Sequence, residues 1–122
     1  MNLGLIVVHK NGDVREVMEI CRTILGISTL RYHGFTFGHD WRFMVLPKYM
    51  VPDKIRGTIL GRAICYDTWL TREAIIDVLV VMRYVEKPEI DYVDEPAELK
   101  RLVREICLDQ HSGSGGTTPQ SR

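Results

Sequence analysis

The sequence has no long hydrophobic run, no net charge and no paired cysteines, and each absence excludes a class of protein. No apolar stretch reaches the ~18 residues of a membrane-spanning helix, and residues 1–10 lack the basic start and long apolar stretch of a signal peptide. Lysine plus arginine and aspartate plus glutamate each number 16, which excludes a strongly basic, histone-like protein and a strongly acidic mimic of DNA. With 122 residues, 45% of them hydrophobic, the chain is long enough for one domain with a substantial core.

The spacing of the three cysteines argues against two further classes of protein. Cys21, Cys65 and Cys107 are far apart in the sequence, and each has apolar neighbours. No CxxC pair and no paired Cys/His spacing is present, so neither a zinc finger nor a disulfide framework is indicated. We expect three buried free thiols that behave as small hydrophobic residues, in the reducing setting of a cytoplasmic protein.

Apolar runs predict several strands. A continuous run rich in β-branched residues, bounded by turn residues, is typical of a buried strand. Residues 48–61 contain a proline and two glycines without a clean period, which predicts a loop with about one helical turn. The predicted strands are 3–9, an extended segment over 30–37, 41–46, 62–67 and an edge strand between Pro88 and Pro96.

A first helix is expected directly after the first strand. Asp13 with Glu16 three residues later has the spacing of a capping box. Apolar residues then follow at helical spacing as far as Leu25, and Gly26 supplies a stop.

The segment 74–85 is apolar on almost every side. Thr71 as N-cap and Glu73 in the first turn favour a helix, while its content of Ile, Val and Tyr makes a long strand the competing interpretation. Such a helix packs on both sides, or it covers a sheet on one side and a partner on the other.

A last helix, capped by Asp94 or Glu95, is expected to bury the stripe Leu99, Leu102, Val103 and Ile106. Residues 110–122 are rich in Gly, Ser and Thr, which predicts a disordered tail. The order of elements predicts a single compact three-layer α/β domain over residues 1–109 with a mixed or partly parallel sheet, of which a Rossmann-like arrangement is one form.

Charge is balanced over the whole chain but not locally. Residues 31–62 hold six basic residues against two acids and six of the ten aromatic residues, whereas residues 86–110 hold eight acids against four bases. Basic side chains interleaved with aromatic rings suit nucleic acid, because phosphates take the charge and bases stack on rings. Two alternatives stay open: the rings point into the core while the charges are solvated, or the basic half of one chain meets the acidic half of another. The candidate nucleic-acid-binding residues are Arg31, Arg42, Lys48, Lys54, Arg56, Arg62, Trp41 and Tyr49.

A nucleotide-binding loop would sit between the first strand and the first helix. Residues 9–13 there contain one glycine and match neither GxxxxGK[ST] nor GxGxxG. The carboxylate of Asp13 would also repel an anion at the helix N-terminus.

One short segment resembles a known group of folds. Arg56-Gly57, followed by Arg62 and the strand AICYD, resembles the arginine–glycine segment that leads into the acidic strand of helicase and terminase P-loop folds. In those families the strand usually ends in two acids, whereas here Asp67 is followed by Thr68. The resemblance implies at most a P-loop-like or Rossmann-like fold that lacks the phosphate loop and NTPase activity.

Other chemistry has weak candidates. His33, His39 and Asp40 carry ligand atoms for zinc, iron or manganese, but on a continuous strand the two histidines would lie about 20 Å apart. A hairpin at the intervening glycines would bring the two histidines together. The alternative is that they are surface histidines and bind no metal. Asp67 is the one weak catalytic candidate, because ligands of open α/β sheets bind at the carboxyl ends of strands. Its alternative role is to cap the next helix. No cofactor is predicted.

The leading hypothesis is a small non-enzymatic binding or accessory protein that acts through protein–protein contacts and self-associates. A chain of this size would suit a phage or a mobile element. Trp69, Met82 and Tyr84 are predicted to form an exposed interface patch, unless the last helix covers that patch. Nucleic-acid binding through residues 31–62 is the second hypothesis, and a small enzyme built on Asp67 with His33 or His39 is the third.

Overall fold

The computed structural model describes residues 2–31, 33–85 and 89–116, with side chains as far as Leu108. Six strands of this part form one sheet in the order β2-β3-β4-β1-β5-β6. The strands are β1 (Asn2–Val8), β2 (Ile27–Arg31), β3 (Gly34–Phe37), β4 (Trp41–Pro47), β5 (Arg62–Tyr66) and β6 (Ile90–Val93). The helices are α1 (Asn11–Arg22), α2 (Val51–Ile55), α3 (Arg72–Val81) and α4 (Pro96–Gly116), with short 3₁₀ turns at Lys48–Met50 and Met82–Tyr84.

The sheet is mixed. β1 lies between β4 and β5 and is parallel to both, and β6 is parallel to β5. β3 runs antiparallel to β4, and β2 antiparallel to β3, so the two strands add an antiparallel hairpin to one edge. This confirms the prediction of a single α/β domain with a mixed sheet.

Helices cover both faces of the sheet, which gives the predicted three layers. On one face, α1 and α4 pack over Ile6, Val8 and Phe43. On the other face, α2 and α3 pack over Leu5, Val7 and Cys65. The alternation of β1 side chains between the two cores explains why its sequence is apolar at nearly every position.

An aromatic stack fills the core beneath α1 and α4. The rings of Trp41 and Phe43 have centroids 5.4 Å apart, and those of Phe43 and Phe35 lie 5.3 Å apart. The three residues are at most 2% exposed. The aromatic side chains of residues 31–62, the basic–aromatic segment, are therefore not all on the surface, because these three belong to the core.

Helix α1 begins earlier than the sequence predicts. Its N-cap is Lys10 and Asp13 is the third helical residue, so the prediction of Asp13 as N-cap is wrong by three positions. The Asp13 carboxylate accepts a hydrogen bond from the Lys10 backbone N–H at 3.2 Å. An acid in the first turn is stabilised there by the exposed amides and the helix dipole.

The extended segment over 30–37 is two strands rather than one. β2 and β3 form a hairpin, and Gly34 begins the second strand. Residues 48–61 hold a 3₁₀ turn and the five-residue α2, slightly more helix than the single turn predicted.

Helix α4 extends into the segment that the sequence predicts to be a tail. The helix runs to Gly116, while residues 117–122 and the side chains beyond Leu108 lie outside the described residues. Disorder of the tail stays a prediction. Within α4, Leu99, Val103 and Ile106 are buried as predicted.

Candidate functional site

The parallel strands place a group of polar residues at one edge of the sheet. The carboxyl ends of β1, β4 and β5 meet there, and a cavity of about 530 Å³ opens between the residues that follow them. Open α/β sheets bind ligands at this edge. The cavity is lined by His9, Lys10, Asp13, Lys48, Asp67, Thr68, Trp69, Thr71, Glu73, Ala74 and Asp77.

Asp67 lies in this cavity, directly after β5, as the sequence predicts. Its Oδ1 accepts the backbone N–H of Trp69 at 2.8 Å, and its own backbone N–H donates to the Val93 carbonyl at 3.0 Å. The carboxylate therefore shapes the turn that leads to α3. His33 lines a different cavity, on the sheet face, so it does not assist Asp67; the histidine that shares the cavity with Asp67 is His9.

The loop between β1 and α1 is too short to wrap a phosphate. It consists of His9 and Lys10 alone, and the Asp13 carboxylate already occupies the Lys10 N–H. Arg56 and Gly57, which carry the resemblance to P-loop folds, precede β5 and do not line this cavity. Gly57 has a φ of +75° and its N–H donates to the Tyr84 carbonyl at 3.0 Å, a turn that glycine favours.

The proposed metal ligands are not brought together. His33 lies in the turn before β3, and His39 with Asp40 in the turn after it, so the four residues of β3 separate them. The hairpin that could have joined the histidines instead places them at opposite ends of one strand. Within residues 2–31, 33–85 and 89–116, no group of three His, Cys, Asp or Glu side chains is arranged to hold a metal ion.

The basic residues of the basic–aromatic segment do not form one surface. Lys48 pairs with Asp77 at 3.0 Å at the carboxyl edge, and Arg62 pairs with Asp91 at 2.5 Å beside β6. Arg56 lies 4.8 Å from the centre of the Tyr84 ring. Lys54 is exposed on α2, and Tyr49 is exposed in the 3₁₀ turn that precedes α2.

Trp41 is not available as a stacking platform for bases. Its ring is 2% exposed and stacks on Phe43 inside the core. The prediction that Trp41 binds nucleic acid is therefore wrong: the pleat turns every second residue of β4 inward, and Trp41 is one of those residues.

Arg31 and Arg42 are the two basic residues of the segment that share a cavity. Both are exposed, and they line a groove of about 280 Å³ on the sheet face formed by β2, β3 and β4. The basic stretch of sequence thus contributes one local pair rather than a continuous patch.

Apolar side chains on α3 are exposed to solvent. Ile76 is 50% exposed, Leu79 46% and Val80 43%, and Trp69 just before the helix is 80% exposed. Tyr84 after the helix is also exposed, as predicted. Met82 is 1% exposed and packs in the core with Val78, so its assignment to the interface patch is wrong.

Helix α4 does not cover this surface. Leu99, Val103 and Ile106 pack with α1 on the opposite face of the sheet. The alternative in which the last helix hides the α3 patch inside the monomer is therefore excluded. The sequence predicts the apolar segment but does not single out Ile76 and Val80. Their spacing of four residues places them on one side of the helix, opposite the buried Val78.

Comparison with protein-family models, with curated proteins and with solved structures gave no match to the chain. Among the helices of the described residues, none combines the length and the apolar character needed to span a membrane.

Proposed function

We propose that this chain is a small protein–protein interaction domain that self-associates through the outer face of α3. The observation that supports this most directly is the exposure of Ile76, Leu79 and Val80 on a helix whose other side is already buried against the sheet. Contiguous exposed apolar side chains of this kind are typical of interaction sites. The buried free thiols Cys21 and Cys65 favour a reducing, cytoplasmic setting for it.

The exposed line along α3 has a charge at each end. Glu73, Ile76, Val80 and Arg83 follow one another at spacings of three, four and three residues, so they lie along one side of the helical segment. Glu73 and Arg83 are both exposed. Arg83 uses its Nε to donate to the Val80 carbonyl at 3.3 Å, a bond in which its terminal nitrogens take no part.

This line is complementary to a second copy of itself. Ile76 and Val80 lie two residues on either side of Val78, and Glu73 and Arg83 lie five residues on either side of it. Two copies of α3 can pair antiparallel about a two-fold axis that crosses the outer face of the helix at the level of Val78. Ile76 of each copy then faces Val80 of the other, and Glu73 faces Arg83. The same patch then serves both subunits, as an isologous contact requires.

Aromatic residues flank the line. Trp69 precedes α3 and Tyr84 follows it, and both are exposed. Tyr49 borders a cavity of about 290 Å³ together with Val80 and Val81. Tyrosine and tryptophan are enriched at interfaces because they bury a large apolar area with few rotatable bonds.

Light scattering with charge-reversed variants tests this arrangement. We expect wild type to have a mass of two chains, and Glu73→Arg or Arg83→Glu alone to shift it towards one chain because like charges then meet across the axis. The double variant restores opposite charges and should restore the dimer. Arg104→Glu, an exposed site on α4, is the matched control and should leave the mass unchanged.

Two results would contradict the proposal. A wild-type mass of one chain at every concentration tested would exclude self-association. A dimer that persists in Ile76→Lys would exclude the α3 face, because a charge at the centre of an apolar contact is strongly unfavourable.

A further inference from the structure

We propose that the open sheet face of the β2–β3–β4 end binds a phosphate group, of a single-stranded nucleic acid or a free nucleotide, between Arg31 and Arg42. The site is independent of the α3 surface, which lies over the other strands. It rests on the groove of about 280 Å³ whose lining includes both arginines.

The groove exists because the helices cover only part of this face. Helices α2 and α3 pack over side chains of β1 and β5 and over Leu46 near the end of β4. Thr29, Arg31 and Arg42 are exposed beyond that cover. The antiparallel hairpin thus extends the sheet past the edge of the helical layer.

Strand register places both arginines on this face. Thr36 is the register partner of Arg42, and Gly34 is the partner of Arg31. Because alternate residues of a strand share a face, Gly34 and Thr36 point to the same side. Register partners also share a face, so Arg31 and Arg42 lie on the same face of the sheet, on strands two apart. Gly34, next to Arg31, has no side chain.

The electrostatics of the groove favour an anion. Its lining contains Arg31, Arg42 and His33 but no carboxylate. Some basic side chains elsewhere in the domain have acidic partners, as in Lys48 with Asp77 and Arg62 with Asp91. Among the residues that the structure describes, neither Arg31 nor Arg42 has an ion-pair partner.

A phosphate group matches the hydrogen-bond donors of this groove. The planar guanidinium forks bind phosphate oxygens with two parallel hydrogen bonds, and the hydroxyl of Thr29 supplies a further donor on the lining. Met44 adds an apolar surface for a sugar. The rings of Phe35, Trp41 and Phe43 are buried in the core, so they do not stack on bases. We therefore expect binding without base preference.

Fluorescence anisotropy with a labelled single-stranded oligothymidylate tests the site. Contact with a single phosphate gives a salt slope of about −0.7, so affinity should fall roughly two- to threefold between ~50 and ~200 mM salt. Losing both charge-assisted contacts should weaken binding at least ~100-fold in Arg31→Glu/Arg42→Glu. Lys54→Glu/Arg56→Glu makes the same change in charge on α2 and should lower affinity less than about threefold.

Competition with unlabelled ADP identifies the source of the phosphate. Displacement of the oligonucleotide at equal affinity supports a free nucleotide, and weak displacement supports a phosphodiester chain. Arg31→Lys/Arg42→Lys keeps the charge but loses the paired hydrogen bonds, so it should bind with intermediate affinity. The proposal is overturned if neither probe binds at ~50 mM salt, or if the two charge-reversed double variants lose affinity equally. Circular dichroism of each variant establishes that it is folded.

Discussion

Gly4 on β1 and Phe43 on β4 are register partners in the parallel sheet, and a Cβ placed on Gly4 would lie 2.6 Å from Cδ1 of the Phe43 ring. That ring is completely buried, so it has little room to move. We predict that Gly4→Ala lowers the free energy of unfolding by about 1–3 kcal/mol through overpacking. Urea unfolding at neutral pH measures the change.

The matched control is another glycine with open space around it. Gly12 lies in the first turn of α1, and a Cβ there meets no heavy atom within 4 Å. Gly12→Ala should be neutral or stabilise the protein by up to about 1 kcal/mol, because alanine is the better helix former. Equal losses in the two variants would show that the contact with Phe43 is not the cause.

The N-cap of α3 contributes to stability through one side chain. Thr71 Oγ1 accepts the backbone N–H of Ala74 at 3.1 Å, as the sequence predicts. Thr71→Ala should therefore lower the free energy of unfolding by about 1 kcal/mol. Thr68→Ala, at an exposed site before the helix, should change it by less than about 0.5 kcal/mol. A smaller effect at Thr71 than at Thr68 would refute the capping role.

Local signals predicted much of the fold because each depends on a few neighbouring residues. The Thr71 cap and the apolar runs of β1, β4 and β5 specify elements without reference to the rest of the chain. The sequence does not predict the hairpin of β2 and β3, because apolar and polar residues alternate imperfectly there and β2 exposes four of its five residues. An edge strand with little burial carries a weak apolar pattern.

The candidate sites were harder to predict because they depend on which face each element presents. Arg31 and Arg42 are eleven positions apart, and only the register of three strands brings them onto one groove. Likewise, the periodicity of α4 shows that it has a buried face but not which side of the sheet it covers. That choice leaves Ile76 and Val80 on α3 exposed.

The three cysteines should be unreactive in the folded protein. Burial raises the pKa of the Cys21, Cys65 and Cys107 thiols from 9.0 to about 12, which lowers the thiolate fraction at neutral pH about a thousandfold. We predict very slow labelling by a thiol reagent in buffer and rapid labelling of three thiols per chain in denaturant. Thr68→Cys, which adds an exposed thiol, supplies the fast-reacting control. Fast labelling of all three native thiols would contradict the burial.

A buried tyrosine should make the stability depend on alkaline pH. The Tyr66 hydroxyl donates to Glu16 Oε2 at 3.1 Å, and burial, that hydrogen bond and the Glu16 charge raise the pKa of Tyr66 from 10.0 to about 12. The folded state then holds the phenolic proton more tightly than the unfolded state does. The contribution of Tyr66 is fully present below pH 10 and is lost as pH rises towards 12.

Comparison with Tyr66→Phe isolates this contribution. The cysteine thiols, whose pKa values are raised in the same direction, also lower stability above pH 9, but they are present in both proteins and cancel in the difference. Urea unfolding between about pH 8 and pH 12 should therefore show a steeper loss of stability in wild type than in Tyr66→Phe, and the difference in stability between the two proteins should change only above about pH 10. Glu16→Gln removes the neighbouring charge while keeping an acceptor, so its curve should lie between them. Parallel curves for wild type and Tyr66→Phe would mean that Tyr66 titrates alike in the folded and unfolded states.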